Sequence, residues 1–199
     1  MRSGLNNHIF KVAFALIAFV MLKTSLYAQS EGRGIKLPDH IKVQYAGGIG
    51  FISVGFGYSN KKDKLEADLF YGYLPRSIGG ARIHSLSAKF SWIPYHLAIK
   101  NKYRFEPLIT GLLFNYNFGK QFFGFDPENY PYKYYSFPTA INAAIFVGSR
   151  VDLNKPGWLS LYYELLGFDR DILNLVDNPN ALRLSDVITL SVGARIKLR

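Results

Sequence analysis

Residues 186–199 read DVITLSVGARIKLR, and from Ile188 onward they alternate without a break. Ile188, Leu190, Val192, Ala194, Ile196 and Leu198 are apolar. Thr189, Ser191, Gly193, Arg195, Lys197 and Arg199 are small, polar or charged. A period of two is that of a β-strand, whose successive side chains point to opposite faces. The pattern recurs upstream in 41–46, 51–59, 65–73, 84–93, 107–118, 140–151 and 158–166. In 65–73, for instance, Leu65, Ala67, Leu69, Tyr71 and Tyr73 oppose Glu66, Asp68, Phe70 and Gly72. In 158–166, Leu159, Leu161, Tyr163 and Leu165 oppose Ser160, Tyr162 and Glu164. The segments number about eight and mostly run to about 9–12 residues, the length with which a tilted strand crosses a bilayer.

Alternation by itself also fits a soluble barrel with its apolar face inward. The make-up of the polar face separates the two. A solvated exterior is rich in Lys, Glu and Thr, whereas here that face is mostly Gly, Ser and Asn with isolated charges of both signs. Such a face suits a narrow interior in which side chains must fit and pair. Tyr45, Tyr58, Tyr73, Trp92 and Tyr116 stand near segment ends on the apolar face, where interfacial girdles belong. The expected fold is therefore all-β: a closed antiparallel up-and-down transmembrane β-barrel of about eight strands. The weakest member is 41–46, which runs through Gly47-Gly48 into the next segment and reads either as half of a tight hairpin or as part of one bent strand.

The first 28 residues read as a separate element. Arg2 and Lys11 precede an apolar run of 11, Val12–Leu22, and no acid occurs before Glu31. The run is too short for a membrane span, and Ala28 is suited to the position before a cut, so 1–28 is expected to be a signal peptide. Residues 29–40 would follow as a short periplasmic segment and 41–199 as the barrel. Removing the leader, with its three basic residues, takes the formal net charge from +10 to +7. For an exported basic protein the expected anionic partner is outer-membrane lipid or lipopolysaccharide rather than nucleic acid. There is no Cys, which excludes disulfide staples, thiol catalysis, zinc-thiolate sites and a lipidated N-terminal Cys.

Connector lengths add a second signal. With both ends of the mature chain periplasmic, the inner turns are 60–64, 94–106 and 152–157, and the outer loops are 47–50, 74–83, 119–139 and 167–185. The two longest fall outside, as such barrels require. With the leader, the alternating segments and this asymmetry, residues 40–199 resemble the small eight-stranded outer-membrane barrels of the OmpA transmembrane-domain and OmpX type. The resemblance implies a location in the outer membrane of a Gram-negative bacterium after cleavage near Ala28. The chain departs from those barrels in ending Lys197-Leu198-Arg199 instead of in an aromatic residue.

Four constellations bear on function. Lys42, Glu66, Asp68, Lys89, Arg150, Glu164 and Arg195 share the polar face and are expected to pair into a lumen charge network, since an unpaired charge there is costly. Eight strands leave an interior only wide enough for side chains, which favours a closed, salt-bridged lumen over a narrow pore. Second, the chain is similar in size and strand number to membrane lipid A deacylases, which carry a His and a Ser at the outer rim. That resemblance implies His84 as base, Ser87 or Ser85 as nucleophile and Glu164 as the acid. The deacylase spacing is His-x-Ser, whereas His84-Ser85-Leu86-Ser87 puts both serines on the face opposite His84 unless a one-residue bulge intervenes. Third, loop 119–139 holds Phe122, Phe123, Phe125, Tyr130, Tyr132, Tyr134, Tyr135 and Phe137. It reads either as a surface for an extracellular glycan, lipid or protein ligand, or as rings folded over the barrel mouth. Fourth, Asp169, Asp171, Asn174 and Asp177 offer oxygens without calcium-loop spacing, and the same segment reads as a helical turn packing Ile172, Leu173 and Val176. No metal site and no cofactor are expected. The expected function is that of a structural or surface-binding outer-membrane barrel.

Overall fold

A computed structural model of the chain describes residues 37–99, 103–119, 122, 140–153, 158–177 and 183–198. The expected leader lies outside these residues. Nine strands follow in order: β1 (His40–Ala46), β2 (Ile52–Ser59), β3 (Leu65–Leu74), β4 (Ile83–Trp92), β5 (Leu97–Ile99), β6 (Tyr103–Phe118), β7 (Ile141–Asp152), β8 (Leu159–Phe168) and β9 (Ile188–Lys197). Consecutive strands pair antiparallel except β4 and β5, β1 pairs with β9, and β4 pairs with β6, so eight strands close into a ring. Closure leaves no edge along the wall. Short β5 lies outside the ring and extends the hairpin with β6 beyond it.

The stagger of the ring can be read from its register. From Gln44, the pairs Ser53, Gly72 and Ser85 lead to Asn117 on β6. In the other direction, Gly193, Tyr162 and Arg150 lead to Glu106 on the same strand. The offset is 11 residues, one of them absorbed by a bulge between Glu106 and Ile109. A stagger of this kind tilts the strands against the barrel axis. The bulge holds Pro107, which has no N–H to give to a ladder, and it reverses the parity of β6. Glu106 faces inward before it, and Ile109, Leu113 and Asn115 face inward after it.

The apolar residues of each strand look out, as the alternation predicts. Trp92 is 52% exposed and Phe90 52%, while their neighbours Ser91 and Lys89 are buried. The interior is filled rather than open. Ile49, Phe70, Ile93, Ile109, Leu113, Ala144, Phe146 and Leu166 form an apolar cluster around the buried charges.

Several expectations differ in detail. The 47–50 connection is a hairpin turn, not part of a bent strand, and it folds inward so that Ile49 is buried. Ala46, Gly47, Gly48 and Gly50 all have positive φ, a conformation that glycine adopts without strain. Strand β1 begins at His40, one residue earlier than expected, and β9 at Ile188, two residues later than the quoted stretch. The preceding residues Leu184–Val187 are helical, as are Arg76–Gly79 and Asp169–Asp177. In the last of these Ile172 is half-buried, but Leu173 and Val176 are exposed instead of packed. The 94–106 connection is longer than a turn because it holds the β5–β6 extension.

Candidate functional site

Seven of the eight wall strands send a charged side chain into the lumen. The geometry is built around Glu66 on β3. It accepts a hydrogen bond from Lys42 Nζ at 2.8 Å and two from Arg150, at 3.0 and 2.9 Å. Arg195 Nη2 stands 3.2 Å from the same carboxylate. Asp68, two residues along β3, accepts from Lys42 at 2.7 Å and is 2.6 Å from His40 Nε2. Arg150 Nε also donates to Glu106 at 2.6 Å. Four cations (Lys42, Lys89, Arg150, Arg195) and five carboxylates (Glu66, Asp68, Glu106, Asp152, Glu164) are buried in the barrel, and all but Asp152, which accepts from Ser160, pair with one another. The match is physically required, because a buried charge costs several kcal/mol unless paired and hydrogen-bonded.

Nearer the barrel centre a second pair stands apart. Lys89 Nζ donates to both oxygens of Glu164 at 2.5 Å. Three rings surround the ammonium, Phe146 at 4.8 Å and Phe70 and Tyr162 at 5.4 Å to centroid. A desolvated cation so enclosed gains from each ring quadrupole. Tyr162 in turn donates its hydroxyl to Gln44 at 3.3 Å. All seven charged residues expected in the lumen point inward and are buried, and His40 and Glu106 join them. The alternation puts His40 in the segment before the barrel, but it is the first residue of β1. Glu106 reads in the sequence as the end of the 94–106 turn, because the parity change at Pro107 hides it from the alternation.

His40, Glu66 and Asp68 place one ligand atom each within 4.8 Å of one another. Lys42 Nζ already holds both carboxylates, so a fixed ammonium stands where a metal ion would have to enter. Asp169, Asp171 and Asp177 form no such convergent group among the described residues.

At the mouth where the chain termini of the barrel lie, the β2–β3 turn, the β5–β6 hairpin and β9 are tied together. Asp63 accepts from Arg104 at 3.3 Å and from Lys197 at 3.2 Å. Arg104 is also 3.3 Å from Glu106, and His96 Nδ1 is 3.1 Å from it. Partial burial disfavours the charged form of Asp63, but Lys197 and Arg104 outweigh it and hold its carboxyl below the ordinary aspartate range.

The hydrolase constellation is not assembled. His84 is on the outer face, with Nδ1 2.5 Å from the Tyr71 hydroxyl. Ser85 faces inward and donates to the Ile49 carbonyl, while Ser87 donates to Asn115 at 2.7 Å. The register of β4 runs unbroken against both neighbours from His84 to Trp92, so no bulge brings a serine round to His84. Glu164 is engaged by Lys89. Of the aromatic loop, Phe122 is half-buried with its N–H on the Gly119 carbonyl. Phe123, Phe125, Tyr130, Tyr132, Tyr134, Tyr135 and Phe137 lie outside the described residues.

No protein-family model matches the chain, and no curated protein matches it. Among solved structures it is similar to the Yersinia pestis outer membrane protein Ail, whose backbone structure was determined in a phospholipid bilayer nanodisc. The two share 10% identity with a TM-score of 0.41, over 82% of this chain and 100% of that one. A likeness that distant bears on neither ligand nor activity.

Proposed function

We propose that the chain is an outer-membrane β-barrel of structural or surface-binding character, with a lumen closed by salt bridges. The observation that carries this reading is the inverted polarity of the barrel. Isoleucine, leucine, phenylalanine and tryptophan cover the outer wall, and nine Lys, Arg, Asp and Glu side chains are buried within it. In water that arrangement would expose a continuous apolar belt far larger than the patches soluble monomers tolerate. In a bilayer it places every strand's apolar face in hydrocarbon and leaves no backbone edge unsatisfied. Among the described residues no helix is long and apolar enough to cross a membrane.

Closure of the lumen is supported by the filled interior: Lys42, Arg150 and Arg195 converge on one carboxylate, and Phe70 and Phe146 flank Lys89 at mid-barrel. Nothing in the placement of His84, Ser85 and Ser87 favours hydrolysis.

The test is migration on a denaturing gel before and after boiling, using detergent-extracted membranes. A folded barrel runs at a different position until heated. Processed protein that stays monodisperse in buffer without detergent would refute the reading. Single-channel recording in planar bilayers tests the lumen, and silence is the expected result.

A further inference from the structure

The charges of the barrel are distributed unevenly along its axis. Within the lumen the four cations and the four carboxylates ion-paired with them cancel. On the far side from the termini, the described residues of 74–83 and 167–187 carry four basic side chains (Arg76, Arg82, Arg170, Arg183). They carry as many acids: Asp169, Asp171, Asp177 and Asp186. The described residues at the terminal side carry five basic side chains, Lys61, Lys62, Lys64, Arg104 and Lys197, against three acids, Asp39, Asp63 and Asp152, so the positive excess among the described residues belongs to that side.

There the described residues Lys61, Lys62, Lys64, Arg104 and Lys197 stand at the barrel mouth, and the first three are exposed and make no ion pair among the described residues. The acids on this side are engaged. Asp63 is held by Arg104 and Lys197, Asp39 accepts the Ser59 N–H at 2.9 Å, and buried Asp152 accepts from Ser160 at 2.6 Å. Just along the wall from the lysines, Tyr58, Leu65 and Trp92 close the apolar belt on its outward face. Aromatic rings of this kind mark the head-group level of a membrane, which puts the lysines at the level of lipid phosphates.

We infer that this basic rim is a surface selective for anionic glycerophospholipid, which gathers phosphodiester head groups of the leaflet on the terminal side around Lys61, Lys62 and Lys64. The inference rests on the membrane reading above and adds to it a side, a lipid class and three residues. Basic side chains near an anionic surface attract it, and the attraction is screened by salt. The lysines are free to serve because the structural work at this mouth is done by Arg104 and Lys197 on Asp63.

The test uses the processed protein refolded into vesicles of phosphatidylcholine, alone or with a minor share of phosphatidylglycerol. Spin-labelled lipids of each class report their relative association with the barrel. Wild type should prefer phosphatidylglycerol by about fivefold, the order one lysine near a charged surface provides. The triple variant Lys61→Gln, Lys62→Gln, Lys64→Gln should lose most of that preference, as should wild type in high salt. Arg76→Gln with Arg82→Gln, on the other rim, should keep it. Heat-modifiable migration in each vesicle separates the two layers of the claim. Insertion with no lipid preference, or a triple variant as selective as wild type, overturns the basic rim and leaves the membrane reading standing. Failure to insert into either vesicle overturns both.

Discussion

Replacing Lys89 by Met should cost the barrel about 3–5 kcal/mol, and replacing Glu164 as well should recover most of it. Lys89 is fully buried, and its contacts are the two oxygens of Glu164 and three rings. Methionine fills nearly the same space, and its sulfur is welcome among aromatic rings, so packing changes little. The loss is electrostatic. Glu164 would be left buried with a single weak partner, the Ser191 hydroxyl at 3.4 Å. Glu164→Gln strands the ammonium instead and should be of similar size, tempered by the rings that still face the cation. The double variant Lys89→Met, Glu164→Gln has no charge at mid-barrel and should fall within about 1–2 kcal/mol of wild type, because neutral replacement of a buried pair is often benign. Urea unfolding of vesicle-embedded protein, followed by the gel mobility of the folded form, gives the three free energies. A double-mutant cycle then yields the coupling. If the two single effects simply add, the ion pair is not the isolated, dry contact described above. A Lys89→Met cost below about 1 kcal/mol would say the same, since only solvent can erase a penalty of that kind.

Lys42→Met should cost less than Lys89→Met in the same assay, because Glu66 keeps Arg150 and Arg195 and Asp68 keeps His40; an equal or larger loss would contradict that redundancy. Asp63 supplies a pH dependence. Its carboxyl titrates below its unfolded value, so its contribution is whole above that value and is lost as pH falls through the folded one. Hydrogen exchange in the β5–β6 hairpin should therefore accelerate below about pH 4, whereas Asp63→Asn should be fast at every pH and flat. A wild-type hairpin indifferent to acid would rule out the latch. Gly72→Ala should destabilise by about 1–3 kcal/mol, since its Cβ would meet the Ile49 carbonyl and the Ser85 hydroxyl; unfolding free energies read the effect, and a neutral substitution would mean that the 47–50 turn does not fold inward. Mass spectrometry of lipid A from cells overproducing the wild-type chain should show no loss of acyl chains, and deacylation abolished by His84→Ala would reinstate the hydrolase.

The alternation of 188–198 was enough to say that the chain is β and which residues of a strand share a face, while the make-up of the polar face said which side is inward. The shared face follows from local stereochemistry, because a strand's side chains alternate whatever it pairs with. It likewise marked Lys42, Glu66, Asp68, Lys89, Arg150, Glu164 and Arg195 as one set, since a shared parity is a shared face. Glu106 escaped because the Pro107 bulge changes the parity within a single strand, and a local pattern cannot reveal a shift measured against a partner. His40 escaped because a strand's first residue has no preceding alternation to declare it.

Only the closed ring decides which charges meet. Glu66 lies 84 positions from Arg150 and Lys89 lies 75 from Glu164, and both pairs exist because the stagger brings distant strands to the same level. The same closure turned Ile49 from a loop residue into part of the core and set His84 and its serines on opposite sides of the wall. Sequence fixes orientation through the geometry of one strand; partnership depends on shear and closure, which are properties of all eight strands together.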